Sequence, residues 1–119
     1  MVVVKTLKIE DKEIPMVSTA GNLRVHRQIF KKDMLGEYLK VERALKQGDF
    51  EKMDTLSLAE MMWTCAYRAN NDIKPFDEWL EEFNSMFSFV EVLGDFMNIL
   101  DESLVAKVEA KKKKAPTKK

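Results

Sequence analysis

Residues 75–100, PFDEWLEEFNSMFSFVEVLGDFMNIL, carry six of the eleven aromatic side chains of this 119-residue chain. Because aromatic rings carry large apolar areas, most of a core or of a partner surface must form around this segment. Pro75 suits the first turn of a helix, and Ser88 with Glu91 has the spacing of a capping box, so we predict two consecutive helices. The helical period assigns six side chains of the segment to the core: Trp79, Leu80, Phe83, Phe89, Leu93 and Phe96.

The break between these two helices is the first candidate for a binding surface. Two helix ends meet near Met86 and Phe87, where not every apolar side chain can turn inward, so we expect an exposed contact patch there. Trp79 and Phe83 are the further candidates for partner contact. The carboxylates of the segment lack the spacing of a calcium-binding loop, and a solvated helix face accounts for them: Asp77, Glu78, Glu81 and Glu82.

The composition indicates one acidic domain with a basic end. With 45% apolar residues the chain can bury a core without disulfides or metal, and we predict a single domain at 1–109 and a basic, disordered tail at 110–119. Residues 111–119 hold six of the twenty basic residues and no acidic ones, so fourteen basic and twenty acidic residues remain in 1–110, a net charge of −6. Such a body repels phosphate, and we expect no nucleic-acid partner.

The N-terminal residues predict a β-hairpin. Val2–Ile9 is rich in β-branched residues, Glu10–Lys12 is a polar turn, and Glu13–Val17 resumes an extended apolar pattern in which Pro15 favours an edge strand. An isolated two-stranded hairpin is marginal in water, so its apolar face must pack on the helices that follow.

The middle of the chain predicts three helices. The first runs from about Leu23 to Phe30 after a cluster of capping residues in which Thr19 or Asn22 could accept from the free amides. The second starts at Asp33 and ends at Gly48, with its apolar positions at Met34, Leu35, Tyr38, Leu39 and Leu45. The third has the capping-box spacing at Ser57–Glu60 and is apolar around much of its circumference, which predicts the central helix of the core. The fold class is therefore α+β, a short hairpin packed on about five helices.

Basic residues surround the first helix: Arg24, His26, Arg27, Lys31 and Lys32. A solvated or acid-paired face is the more common arrangement of such residues. The alternative is a small DNA-binding regulatory protein that uses the basic helix 23–32 together with the lysine tail.

The chain offers little catalytic chemistry. We interpret the single histidine, His26, as a surface imidazole and the single cysteine, Cys65, as a buried apolar residue, so an enzyme built on Cys65 is the weakest alternative. One histidine and one cysteine do not make a zinc site, and the four glycines are too far apart to cradle a phosphate. We predict no catalytic residues, no cofactor and no metal. We also expect no membrane partner, because no charge-free run approaches the roughly 18 residues of a membrane span.

Several stretches, taken in order, resemble tail assembly chaperones of long-tailed bacteriophages and prophages. These are residues 11–14 (DKEI), 19–24 (TAGNLR), 27–35 (RQIFKKDML), 76–83 (FDEWLEEF) and 89–93 (FVEVL). The chain departs from the family pattern at Lys31, where glycine is usual, and at His26, where an aromatic residue is common. The positions that carry the family motifs are Arg24, Arg27, Phe30, Asp33, Asp77, Glu78, Trp79 and Leu80.

The resemblance implies a non-enzymatic scaffold. It implies binding to the tape-measure protein, a long helical chain that sets tail length, and help in polymerising the tail tube, so the major tail protein is a second expected partner and a homo-oligomer is possible. The implied location is the cytoplasm of the bacterial host, with no place in the mature virion. In this family a translational frameshift can extend the product, and the lysine codons of Lys111–Lys114 are candidates for slippage, although an ordinary solvated basic tail is the more general interpretation.

Overall fold

The computed structural model describes residues 3–102, and the architecture is α+β as predicted. The predicted tail at 110–119 and the predicted domain boundary at 109 lie outside the described residues. Strands β1 (Lys5–Ile9) and β2 (Lys12–Met16) are followed by helices α1 (Gly21–Phe30) and α2 (Met34–Gln47). A short 3-10 helix (Phe50–Lys52), α3 (Thr55–Ala69), α4 (Phe76–Leu80) and α5 (Ser88–Glu91) come next, and a last helix, α6, covers 93–102.

The two strands form the predicted antiparallel hairpin, with Leu7 opposite Ile14 and Ile9 opposite Lys12. Leu7, Ile9 and Met16 are buried, whereas the alternate positions of β1 are exposed, as the period of two requires. Just after β2 the Val17 amide donates to the Cys65 carbonyl of α3 at 3.0 Å. The hairpin is therefore stabilised by the helices, as its small size demands.

Helix α3 is the centre of the core, as predicted. Its residues 57–66 are all buried, and it contacts β2, α1, α2, α4 and α5. The predicted capping box at Ser57–Glu60 is wrong. The helix begins earlier, and the carboxylate of Asp54 accepts from the amides of Leu56 and Ser57 at 3.1 and 3.3 Å. An aspartate at this position satisfies amides that have no partner within the helix.

Helices α1 and α2 pack beside α3. Helix α1 begins at Gly21, two residues before the predicted start, and Thr19 accepts from the Gly21 amide as predicted. Helix α2 has Asp33 at its N-cap, without a side-chain hydrogen bond, and ends at Gly48 in the left-handed conformation with φ 68°. Its buried face is rotated from the predicted one, because Met34, Tyr38, Val41 and Ala44 are buried while Leu35 and Leu39 are exposed.

The segment that follows Pro75 differs most from its prediction. Helix α4 ends at Leu80 rather than continuing toward Phe87, and residues 81–87 form turns before α5 restarts the helical chain. The restart at Ser88 is as predicted, but the capping box is not, because the Ser88 hydroxyl donates to Glu10 instead. The six predicted core residues do line the core: Trp79, Phe89, Leu93 and Phe96 are buried, and Leu80 and Phe83 pack against them half-buried.

Candidate functional site

An apolar groove lies between the start of α3 and the turns that follow α4. Its volume is about 540 Å³. Three large apolar side chains on its wall are exposed to solvent: Leu56 by 50%, Met86 by 84% and Phe87 by 66%. The structure therefore confirms the predicted exposure of Met86 and Phe87. Leu56, which sequence reasoning missed, joins them from the first turn of α3.

A second hollow of about 480 Å³ borders the first, because both include Leu56 and Leu80 in their walls. Phe30 of α1 and Phe76 of α4 extend the apolar lining of this second hollow. We refer to the two adjoining hollows together as the α3–α4 groove. Its lining includes side chains from α1, α3, α4 and the turns at 81–87.

Aromatic rings support the groove from beneath. Trp79 is only 5% exposed, and its ring lies 4.8 Å from that of Phe83 and 5.9 Å from that of Phe89. The rings of Phe83 and Phe89 are 5.2 Å apart, edge to face, which is a favourable arrangement of aromatic quadrupoles. The prediction that Trp79 contacts a partner is therefore wrong, because Trp79 is buried and supports the groove from beneath. Phe83 is half-buried and lines the groove itself.

The turn that carries Met86 and Phe87 is held by the β-hairpin. The Glu10 carboxylate accepts from the amides of Asn84 at 2.8 Å and Ser85 at 3.2 Å, and from the Ser88 hydroxyl at 2.5 Å. These bonds, the one from Ser88 above all, lower the pKa of Glu10 below its ordinary value. The groove wall is therefore fixed by a residue more than seventy positions away in sequence.

Glu10 adopts a conformation that is costly for its residue type. Its φ is +57°, in the left-handed region that glycine and asparagine occupy more readily. It is one of two non-glycine residues with positive φ among residues 3–102; the other is Lys31, which ends α1. A glycine at Glu10 would relieve the backbone but would remove the acceptor of the groove wall.

The rim of the groove is acidic. Asp77, Glu78 and Glu81 are exposed beside the two hollows, and within residues 3–102 none of them forms an ion pair with lysine or arginine. Glu82 differs, since Lys74 pairs with it at 2.8 Å, and this pairing raises the pKa of Lys74. The predicted solvated face therefore holds for three of its four carboxylates.

Several motif residues near α1 serve the architecture. The buried Asn22 amide donates to the Val17 carbonyl at 2.9 Å and to the Cys65 sulfur at 3.3 Å, while its oxygen accepts from the Arg68 Nε at 3.1 Å. Arg68 also donates to Thr19 and passes so close to Gly21 that a Cβ there would lie 2.7 Å from its Nη2. This cluster ties β2, α1 and α3 together.

The remaining motif positions divide between support and exposure. Phe30 packs edge to face on Trp63 and on Phe76, and so links α1 to α3 and α4. Arg24 and Arg27 are exposed on α1. The motif positions that line the groove are Phe30, Asp77, Glu78 and Leu80, and Trp79 packs beneath it against Phe83.

His26 is not a surface imidazole, and that prediction is wrong. The side chain is 0% exposed, and its Nδ1 lies 2.7 Å from the Thr64 hydroxyl. The Thr64 hydroxyl also lies 3.0 Å from the Glu60 carbonyl, and both contacts are satisfied at once when the hydroxyl donates to this carbonyl and Nδ1 carries a hydrogen and donates to the hydroxyl. Nε2 then holds an unpaired lone pair in the interior, without a hydrogen-bond partner among the described residues. Burial, with the charge of Lys32, lowers the pKa of His26 to about 4.

Cys65 is buried as predicted, and the geometry gives it no nucleophilic character. It is 0% exposed, and burial raises the pKa of its thiol to about 12. The imidazole of His26 is engaged with Thr64 and not with this sulfur. Within residues 3–102 no group of three or more histidine, cysteine or acidic side chains is arranged to hold a metal ion.

The basic residues of the DNA-binding alternative are divided by the structure. Lys32 turns inward, where its Nζ binds Glu60 at 2.9 Å and Ser57 at 3.1 Å, and the bond to Glu60 raises the pKa of Lys32. Lys31 bonds the Gln28 carbonyl at the end of its own helix. Acid pairing is therefore confirmed for Lys32, and the DNA-binding function itself stays a prediction.

No helix within residues 3–102 combines the length and apolar character that crossing a membrane requires.

Comparison of the chain with protein-family models, with curated proteins and with solved structures finds no match. The resemblance to tail assembly chaperones therefore stays a prediction.

Proposed function

We propose that this protein is a non-enzymatic chaperone that covers the apolar face of a helical protein segment with its α3–α4 groove. The observation that carries the proposal is the exposure of Met86 and Phe87 beside a formed hollow of about 540 Å³. Large apolar side chains grouped around a concave surface are typical of sites that bind the apolar face of a helix. Methionine suits varied partners because its thioether is flexible and polarizable.

The groove is already ordered without a partner, and this order also favours binding. The Glu10 carboxylate holds the turn that carries both side chains, and the ring cluster of Trp79, Phe83 and Phe89 supports it. A surface that is already ordered loses little conformational entropy when a partner docks. Without a partner, exposed apolar side chains on an ordered turn favour aggregation of the protein, and a bound partner that covers them removes this tendency.

The resemblance in sequence supplies the identity of the partner within this proposal. The chain would act in phage tail assembly, in the cytoplasm of the bacterial host, by keeping segments of the tape-measure protein from aggregating until tube subunits polymerise around them. Six of the eight residues in the FDEWLEEF stretch line the groove, which supports a link between the family motif and the binding surface: Phe76, Asp77, Glu78, Leu80, Glu81 and Phe83.

Co-expression with tape-measure fragments tests the proposal. The wild-type protein should hold the fragments in the supernatant after centrifugation, and a double variant with Met86→Ser and Phe87→Ser should fail to do so. Each large apolar anchor removed from a buried contact costs about 1.5–3 kcal/mol, which is at least about tenfold in affinity.

Phe50→Ser is the matched control, because Phe50 is 54% exposed but lies on the 3-10 helix and outside the groove wall. It should behave as the wild type. Equal precipitation of the fragments with and without the wild-type protein would refute the chaperone function. Equal loss in the control and the double variant would refute the assignment to the groove.

A further inference from the structure

The acidic rim of the α3–α4 groove selects for a particular kind of helix. We propose that the groove binds amphipathic helical segments whose apolar face is flanked by lysine or arginine, in preference to equally apolar helices with an acidic or neutral polar face. This inference rests on the proposed function and adds the charge of the partner to it.

The placement of charge around the apolar lining carries the inference. Asp77 and Glu78 line the second hollow and Glu81 lines the first, so each hollow has at least one exposed carboxylate in its wall. Within residues 3–102 none of these three side chains forms an ion pair, whereas Glu82 beside them is paired with Lys74, whose charge also acts on Glu78, and Lys12 lies over the ring of Phe83. A docked helix would thus meet three exposed carboxylates, of which Glu78 is partly offset by Lys74.

The electrostatics of the body point in the same direction. Residues 1–110 have a net charge of −6, which the six lysines of 111–119 offset in the full chain, so the attraction of cations is local to acidic surfaces such as the rim. The apolar wall of Leu56, Met86 and Phe87 supplies affinity without regard to charge, and the rim adds discrimination between partners. Each exposed ion pair contributes modestly, but three along one helix give a preference of about tenfold at low salt.

Binding of synthetic helical peptides to the full chain tests the inference. Three fluorescent peptides of about 18 residues share one leucine face and differ in the polar face, which carries lysine, glutamate or glutamine. The lysine peptide should bind about tenfold more tightly than the glutamate peptide at low salt, with the glutamine peptide between them. At about 1 M salt, where charges are screened beyond about 3 Å, the three affinities should converge.

Variants locate the preference on the rim. Combining Asp77→Asn, Glu78→Gln and Glu81→Gln should abolish the preference for lysine while the glutamine peptide still binds. Glu81 lies just beyond the end of α4, so Glu81→Gln alone leaves the acidic first turn of that helix unchanged. This single variant should reduce the preference for the lysine peptide in part. The matched control combines Glu13→Gln, Glu51→Gln and Asp95→Asn, which changes the net charge equally at exposed positions away from the groove and should keep most of the preference.

The outcomes separate this inference from the proposed function. Equal affinity of the lysine and glutamate peptides for the wild type, or equal effects of the rim and control variants, would overturn the charge preference and leave the groove intact. Failure of all three peptides to bind would overturn both. If Phe87→Ser leaves the affinity for the lysine peptide unchanged, the peptide binds outside the groove and the inference is overturned. Self-association that disappears in Phe87→Ser would show a second copy in the groove instead.

Discussion

Lowering the pH from about 8 to about 5 should destabilise the wild-type protein far more than a His26→Phe variant. The His26 side chain is fully buried and its Nε2 has no hydrogen-bond partner among the described residues, so burial of the charged imidazolium lowers the pKa of His26 from 6.5 to about 4. A protonated Nε2 would place a charged donor in the interior without an acceptor. The neighbouring charges act in opposite directions: Lys32 lowers the pKa, whereas Glu37 and Asp33 raise it.

The sign and size of the effect follow from the two pKa values. Because the folded state binds the proton less readily than the unfolded state, the contribution to stability is complete above pH 6.5 and is lost as the pH falls toward 4. At about pH 5 the unfolded chain is almost fully protonated at this residue and the folded protein hardly at all. The resulting loss of unfolding free energy is about 2 kcal/mol, or about thirtyfold in the folding equilibrium.

Phenylalanine removes the titration while it keeps the ring next to Phe30, whose centroid lies 5.0 Å from that of His26. It gives up the hydrogen bond to Thr64, a loss of about 1 kcal/mol, and it also removes the unpaired Nε2. We expect the variant to be within about 1 kcal/mol of the wild type at pH 8 and more stable than the wild type at pH 5.

Urea unfolding followed by tryptophan fluorescence measures the difference, since Trp63 and Trp79 are both buried. Carboxylates such as Asp54, whose pKa is lowered by its bonds to Ser57 and Leu56, titrate in both proteins and cancel in the comparison. A stability difference between the two proteins that stays constant from pH 8 to pH 5 would refute the reasoning about Nε2.

Two further changes probe the groove wall and the start of the central helix. Glu10→Gln should weaken the bonds to Asn84 and Ser85, so the amides of both residues should exchange hydrogen faster, whereas Glu13→Gln on β2 should leave them unchanged. Unaltered exchange in the Glu10 variant would show that the turn holds without it. Asp54→Ala should lower the unfolding free energy by about 1 kcal/mol in urea titrations, because the amides of Leu56 and Ser57 lose their acceptor. Asp54→Asn should recover most of this free energy, because asparagine keeps an oxygen that can accept at the N-cap.

Features that depend on local pattern could be predicted from the sequence. The hairpin follows from alternation along β1, and α3 follows from an apolar circumference that does not fit a surface helix. The exposure of Met86 and Phe87 also followed from a local argument, namely that a break between two helices leaves apolar side chains without an interior to enter.

Features that depend on distant partners could not be predicted. The spacing at Ser57–Glu60 and at Ser88–Glu91 is typical of capping boxes, but Glu60 pairs with Lys32 and Ser88 donates to Glu10. His26 sits among cations in sequence, and its burial depends on Thr64, thirty-eight residues later. The role of Glu10 in holding the turn at 84–88 also depends on distant residues. Its one local sign is a charged side chain in a tight hairpin turn, where glycine or asparagine is common.

The bond between the Glu10 carboxylate and the Ser88 hydroxyl has a consequence for how this protein can evolve. A change to glycine or asparagine at position 10 would ease the hairpin turn and free four donors at positions 84, 85 and 88 at the same time. Selection would tolerate that step most readily after position 88 had lost its hydroxyl and the turn had found another acceptor. Homologous chains should therefore show correlated substitution at positions 10 and 88, although the two lie at opposite ends of the described sequence.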